Sequence, residues 1–163
     1  MAWTIRNPVI GAQPIADTST TQRHPLGTIV VADDPTLGEG EFIYAVGVAN
    51  TTAGDWVTIP SDDYVTAKLA ADAIGQVGVA MSANVASQYG WYQITGKVSQ
   101  AHCLTSFADD ALVFITASVG YVDDTSVAGD LVNNARGAST STARAADFEI
   151  ARPWVNNNSN SGA

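Results

Sequence analysis

Lysine is nearly missing from this chain of 163 residues: only Lys68 and Lys97 occur, and charged residues together make up 14% of it, against about 25% in an ordinary domain. Protein interfaces avoid Lys more than most residues, so the exposed neutral Ala, Ser, Thr, Asn and Gly are cheap to desolvate against other protein. A single cysteine, Cys103, excludes an internal disulfide, and an inert, buried thiol is the expectation. Histidine is limited to His24 and His102. Neither lies in a Gly-x-Ser-x-Gly motif, and two His with one Cys give no metal-ligand spacing, so no nucleophilic triad and no zinc site are assigned. His102 and Cys103 are consecutive on a strand candidate and therefore face opposite sides. No apolar run reaches membrane-spanning length. The opening Met1-Ala-Trp-Thr-Ile-Arg-Asn-Pro lacks a basic-then-apolar leader pattern, which leads us to expect synthesis and assembly in a cytoplasm.

What is present is Val and Thr in abundance, within a hydrophobic fraction of 46%, and no helical spacing of apolar residues over three turns. The chain reads as all-β. Strands are expected at Thr28 to Ala32, Glu41 to Ala49, Asp55 to Ile59, Tyr64 to Ala70, Gly75 to Met81, Trp91 to Gln100, Leu112 to Thr116, Tyr121 to Val122, Asp130 to Asn133 and Phe148 to Arg152. Clusters such as Asp33-Asp-Pro, Gly38-Glu-Gly, Pro60-Ser-Asp-Asp and Asp123-Asp separate them, because Asp satisfies turn backbone with its own side chain and Gly accepts positive φ. Many short strands with such punctuation predict a compact β-sandwich, jelly-roll or small barrel. One helical turn is expected at Ser82 to Tyr89, with Asn84 as its cap.

The net charge of -9 disfavours nucleic acid as a partner, since phosphate binding needs clustered Lys and Arg. The acid is concentrated between the ends. Residues 26 to 135 hold Lys68 and Lys97 against thirteen acids, whereas residues 1 to 25 and 136 to 163 each carry a net of +1. Pro8, Pro14 and Pro25 suit residues 1 to 25 to an extended arm outside the core of a domain at 26 to 155, and cannot serve a central strand. In that arm Trp3, Ile5, Val9 and Ile10 are candidate anchors for a partner, with Arg6 paired to a carboxylate there. Near the other end Arg152 and Trp154 are the residue types most enriched among those that dominate binding. Asn156 to Ala163 has the composition of a polar tail.

Two further clusters invite chemistry. The loop from Asp33 to Glu41 offers Asp33, Asp34, Glu39 and Glu41 to a hard cation, but without the acid spacing of an EF-hand it is expected to be a solvated turn, and no metal is assigned. In Trp91-Tyr-Gln-Ile-Thr, Trp91 and Tyr92 fall on opposite faces of one strand. Core packing accounts for one of them, and the other is expected in core or subunit contact rather than under a sugar.

Two stretches carry a resemblance: His24-Pro-Leu-Gly-Thr-Ile-Val-Val-Ala-Asp-Asp-Pro-Thr-Leu-Gly-Glu-Gly-Glu-Phe-Ile-Tyr, and Ile74-Gly-Gln-Val-Gly-Val-Ala-Met-Ser-Ala-Asn-Val-Ala-Ser-Gln-Tyr-Gly-Trp-Tyr-Gln-Ile-Thr-Gly. They resemble the capsid decoration, or cement, proteins of tailed bacteriophages over roughly residues 17 to 155. The resemblance implies a small β domain on the outside of an icosahedral head, bound to the major capsid protein and to copies of itself as a homodimer or homotrimer. It implies no enzymatic activity, no cofactor, no nucleic acid and no membrane, and a place on the capsid surface of the virion. A tail, fibre or adaptor component of such a virion is the second expectation. A carbohydrate-binding module or an enzyme is the third.

Overall fold

Alternation of small or β-branched residues with polar ones produces twelve strands in the computed structural model, which describes residues 3 to 6 and 11 to 157. In chain order they are β1 (Thr4–Ile5), β2 (Ile29–Asp34), β3 (Gly38–Val46), β4 (Trp56–Thr58), β5 (Ala67–Lys68), β6 (Ile74–Ala80), β7 (Tyr89–Gln93), β8 (Thr95–His102), β9 (Leu112–Ile115), β10 (Val122–Asp123), β11 (Leu131–Gly137) and β12 (Ala145–Asn156). No helix occurs among the described residues. The chain is all-β, and its strand order β1-β2-β3-β7-β6-β12-β11-β9-β10 stays open, so the architecture is a compact β-sandwich and not a closed barrel.

One strand joins the two leaves. The first half of β6 pairs with the end of β12, Gln76 opposite Trp154, while its second half pairs with β4 and β7. β12 in turn pairs with β8 along one edge and with β11 along the other. Between the leaves lies the largest apolar cluster, with Trp56, Leu69, Val77 and Val79 on one side and Val98, Phe107, Val113, Phe148 and Ile150 on the other. Trp56 and Phe148 meet edge to face at 5.1 Å.

The stretch expected as one strand from Trp91 to Gln100 is broken at Ile94, because β7 belongs to the first leaf and β8 to the second. Gly96 allows the crossing: its φ is +92, and a Cβ there would collide with the Glu39 carbonyl. Residues 64 to 70 give only the two residues of β5, with Val65 in an isolated parallel bridge to Val46 and Tyr64 at φ 54. The expected helical turn at Ser82 to Tyr89 is a correction. That segment is an irregular connection, and Asn84 caps nothing: its buried amide donates to the Tyr92 hydroxyl at 2.9 Å and to the Ala45 carbonyl at 3.4 Å.

Residues 11 to 25 lie against the first leaf. Ile15, Gln13 and His24 are buried. Ile15 packs with Val30, Phe42, Tyr44 and Trp91, with Trp3 and Ile5 against the same cluster. The Trp91 indole donates to the Gln13 carbonyl at 2.9 Å, and Ser19 bridges to Tyr89. β1 adds to the edge of β2, Thr4 opposite Asp33, which is the edge placement that flanking prolines allow.

Candidate functional site

With both faces of the first leaf covered, Trp91 and Tyr92 are fully buried. Trp91 faces the N-terminal segment, and Tyr92 faces the cluster of Ile43, Val57, Ile59 and Ile94, its hydroxyl held by Asn84 and Thr66. Of the core or subunit contact expected for the second aromatic, the structure shows core, so both rings are core. The cover of Trp91 comes from residues 11 to 25, which had read as an arm.

His24 sits between the Tyr44 and Trp91 rings, 5.0 and 5.4 Å away, and its Nε2 accepts the Gln13 N–H at 3.1 Å. Burial, then the neighbouring Arg23 charge, lowers its pKa, so the neutral ring is the native form. Cys103 points into the main core. Burial, with Asp123 and Asp124 nearby, pushes its thiol up to about 11.

His102 takes part in the densest polar cluster. Its Nδ1 lies 2.9 Å from Oδ1 of Asp55, whose side chain is only 1% exposed. The other carboxylate oxygen of Asp55 receives the Lys68 ammonium at 3.0 Å, the Thr52 N–H at 2.7 Å and the Thr52 hydroxyl at 3.1 Å. Tyr121 stacks on the imidazole at 4.8 Å, and the Arg144 guanidinium covers the same Tyr ring at 4.5 Å. Burial alone would raise the Asp55 pKa. The hydrogen bonds from His102, Thr52 and Lys68, with the Lys68 charge, outweigh it and hold the carboxyl below its ordinary value. An Asp oriented on His Nδ1 is half of a nucleophilic triad, but among the described residues no Ser, Thr or Cys bonds to the other ring nitrogen. The cluster ties the loop before β4 to β5 and to the end of β8. Sequence reasoning missed it because Asp55 and His102 are 47 residues apart and Gly54-Asp55 reads as a turn.

The acidic loop is spent on internal partners. Asp34 accepts the N–H groups of Thr36 and Leu37, Arg6 reaches Asp33 at 3.0 Å and Glu39 at 2.7 Å, and Arg152 reaches Glu41 at 3.1 Å. No group of three or more His, Cys, Asp or Glu able to hold a metal exists among the described residues.

The proposed contact residues fall in different places. Trp3 meets Phe42 edge to face at 4.9 Å and Ile5 packs beside it, so both make contacts within their own chain, as Arg6 and Arg152 do through their ion pairs. Val9 and Ile10 lie outside the described residues. Trp154 is 48% exposed, on the corner where β12 meets β6. The structure adds exposed apolar side chains that periodicity did not single out: Ile29, Val65, Ile74, Leu112, Val119 and Val127. An open groove of about 630 Å³ runs between Leu37 and Glu39 at the β2–β3 turn and Lys97, Arg136 and Glu149 on the second leaf. No protein-family model, curated protein or solved structure matches the chain.

Proposed function

We propose that the chain is a structural component of a tailed-phage virion, a decoration protein that binds the major capsid protein and copies of itself on the outer face of an icosahedral head. The observation that carries this reading is the make-up of the surface. Five of the seven Lys and Arg side chains, Arg6, Lys68, Lys97, Arg136 and Arg152, are held by the chain's own acids. Meanwhile Ile29, Val65, Leu112, Val119 and Val127 stand more than a third exposed. Such a surface loses little by being covered with protein. The arrangement of Asp55, His102 and Lys68 joins elements, and we assign it no catalytic step, no cofactor and no nucleic acid.

A particle map tests this reading. Density for this chain is expected repeated over the whole shell, one set around each capsomer. Density confined to the neck, tail or fibres would replace the decoration reading with that of a tail or adaptor component, and no density in the particle would overturn both.

A further inference from the structure

The corner that carries Trp154 has the chemistry of a small-ligand site. Three adjacent strands bring Asn133, Trp154 and Gln76 side by side on one face, Asn133 opposite Trp154 in β11 and β12 and Trp154 opposite Gln76 in β12 and β6. One step along, Asn156 faces Ile74, so Trp154 and Ile74 are diagonal neighbours within reach of each other. Between the indole and the segment leaving β4 lies a hollow of about 270 Å³, lined by Ile59, Pro60, Ser61, Ile74, Gln76 and Trp154. Gly75 contributes its bare backbone to it.

Two observations select the occupant. First, no charged side chain lines the hollow, although the chain carries a net charge of -9; the matching ligand is neutral. Second, the polar groups around the ring are free. Among the described residues the Trp154 indole N–H, the Gln76 carboxamide and the Ser61 hydroxyl have no hydrogen-bond partner, and the Asn133 amide donates to the Trp154 and Leu131 carbonyls while its side-chain oxygen stays open. A half-exposed aromatic face with unpaired amide and hydroxyl groups at its margin fits a ring that has an apolar C–H face and hydroxyls on its rim. The hollow is smaller than the roughly 300–1,000 Å³ of drug-sized pockets, which suits one or two rings better than a peptide.

We propose that this corner binds a neutral saccharide, with a pyranose stacked on Trp154 and its hydroxyls bonded to Gln76 and Ser61. The site does not depend on the virion reading: it would serve a decoration protein facing outward or any other carrier of the fold.

The test uses the full chain on an array of neutral and acidic glycans, followed by calorimetric titration with the best neutral hit. Saturable binding to neutral glycans is expected. Trp154→Ala should weaken it by about tenfold, as loss of an aromatic stacking partner does. Gln76→Ala should weaken it by about threefold, and Trp154→Tyr should retain most of it. Both Ala variants alter solvent-facing side chains, and melting curves check that they fold; if Trp154→Ala does not, Gln76→Ala decides. No binding across the array, binding only to acidic glycans, or affinity unchanged by the Ala substitutions would overturn the proposal. So would a dimer, seen by light scattering, that Trp154→Ala dissolves, because the corner would then be occupied by a second copy.

Discussion

Asp55 has its carboxylate enclosed by donors from Thr52, Lys68 and His102, and replacing it with Asn leaves the Lys68 ammonium facing a neutral amide. Asp55→Asn is expected to cost about 3 kcal/mol, the scale for removing one partner of a buried pair. It should appear as a lower denaturant midpoint at unchanged slope. Because the folded-state pKa of Asp55 is depressed, its contribution is present above the ordinary value of 3.8 and fades as pH falls through the folded value. The two proteins should therefore converge in stability toward the most acidic pH, and a gap that stays constant would refute the ion-pair account. His24 works in a different window. Its pKa is also lowered, so the stability it lends is present above 6.5 and is lost as pH falls below that value. Melting temperatures taken through mildly acid pH should drop in the native chain and flatten in His24→Gln, which can still accept the Gln13 N–H. The Cys103 thiol, pushed up to about 11 and buried, should ignore alkylating reagents at neutral pH until the chain is unfolded.

Among the elements, residues 11 to 25 change the expectation for truncation most. Read from prolines and polar runs, residues 1 to 25 form an arm outside the core, and deleting residues 2 to 20 would leave the body folded. In the structure that deletion uncovers Trp91, Tyr44 and Phe42 and removes the acceptor of the Trp91 indole, so a large loss of stability is expected. Ile15→Ala alone should cost about 2 to 4 kcal/mol in a chemical melt, and an unchanged midpoint would return these residues to the role of a loose arm. Strand positions were legible in the sequence because alternation and turn chemistry are local. Thus β2, β6 and β9 fall where short apolar, β-branched or aromatic runs between Asp and Gly put them. The break at Ile94 and the double cover of Trp91 and Tyr92 were not, since both depend on which leaf a strand joins. The acidic loop was legible as a turn, but its partners Arg6 and Arg152 lie far along the chain. With those carboxylates already engaged, the melting temperature should not move when a chelator is added; a fall would mean that a bound cation stabilises the folded chain.

At the scale of the whole molecule, the sandwich is open at its ends, and a short β1 covers only part of the β2 edge. Open edges with little Lys to guard them favour association, and a closed symmetric dimer or trimer is the expected outcome in light scattering at high concentration. β12 has a further consequence, for the timing of folding. It joins β6, β8 and β11, yet every one of those partners precedes it in the chain. During synthesis on the ribosome, β6 and β8 must wait with open edges until β12 emerges, and only the hairpin with β11 can form by local search. Pairings of this kind pay the entropy of closing long loops before they gain contacts, and they are slow. A nascent chain stalled before residue 145 should therefore protect the first leaf, whose pairings all precede β12, while β8 stays sensitive to protease, and release of the full chain should be followed by a late step that protects the second leaf.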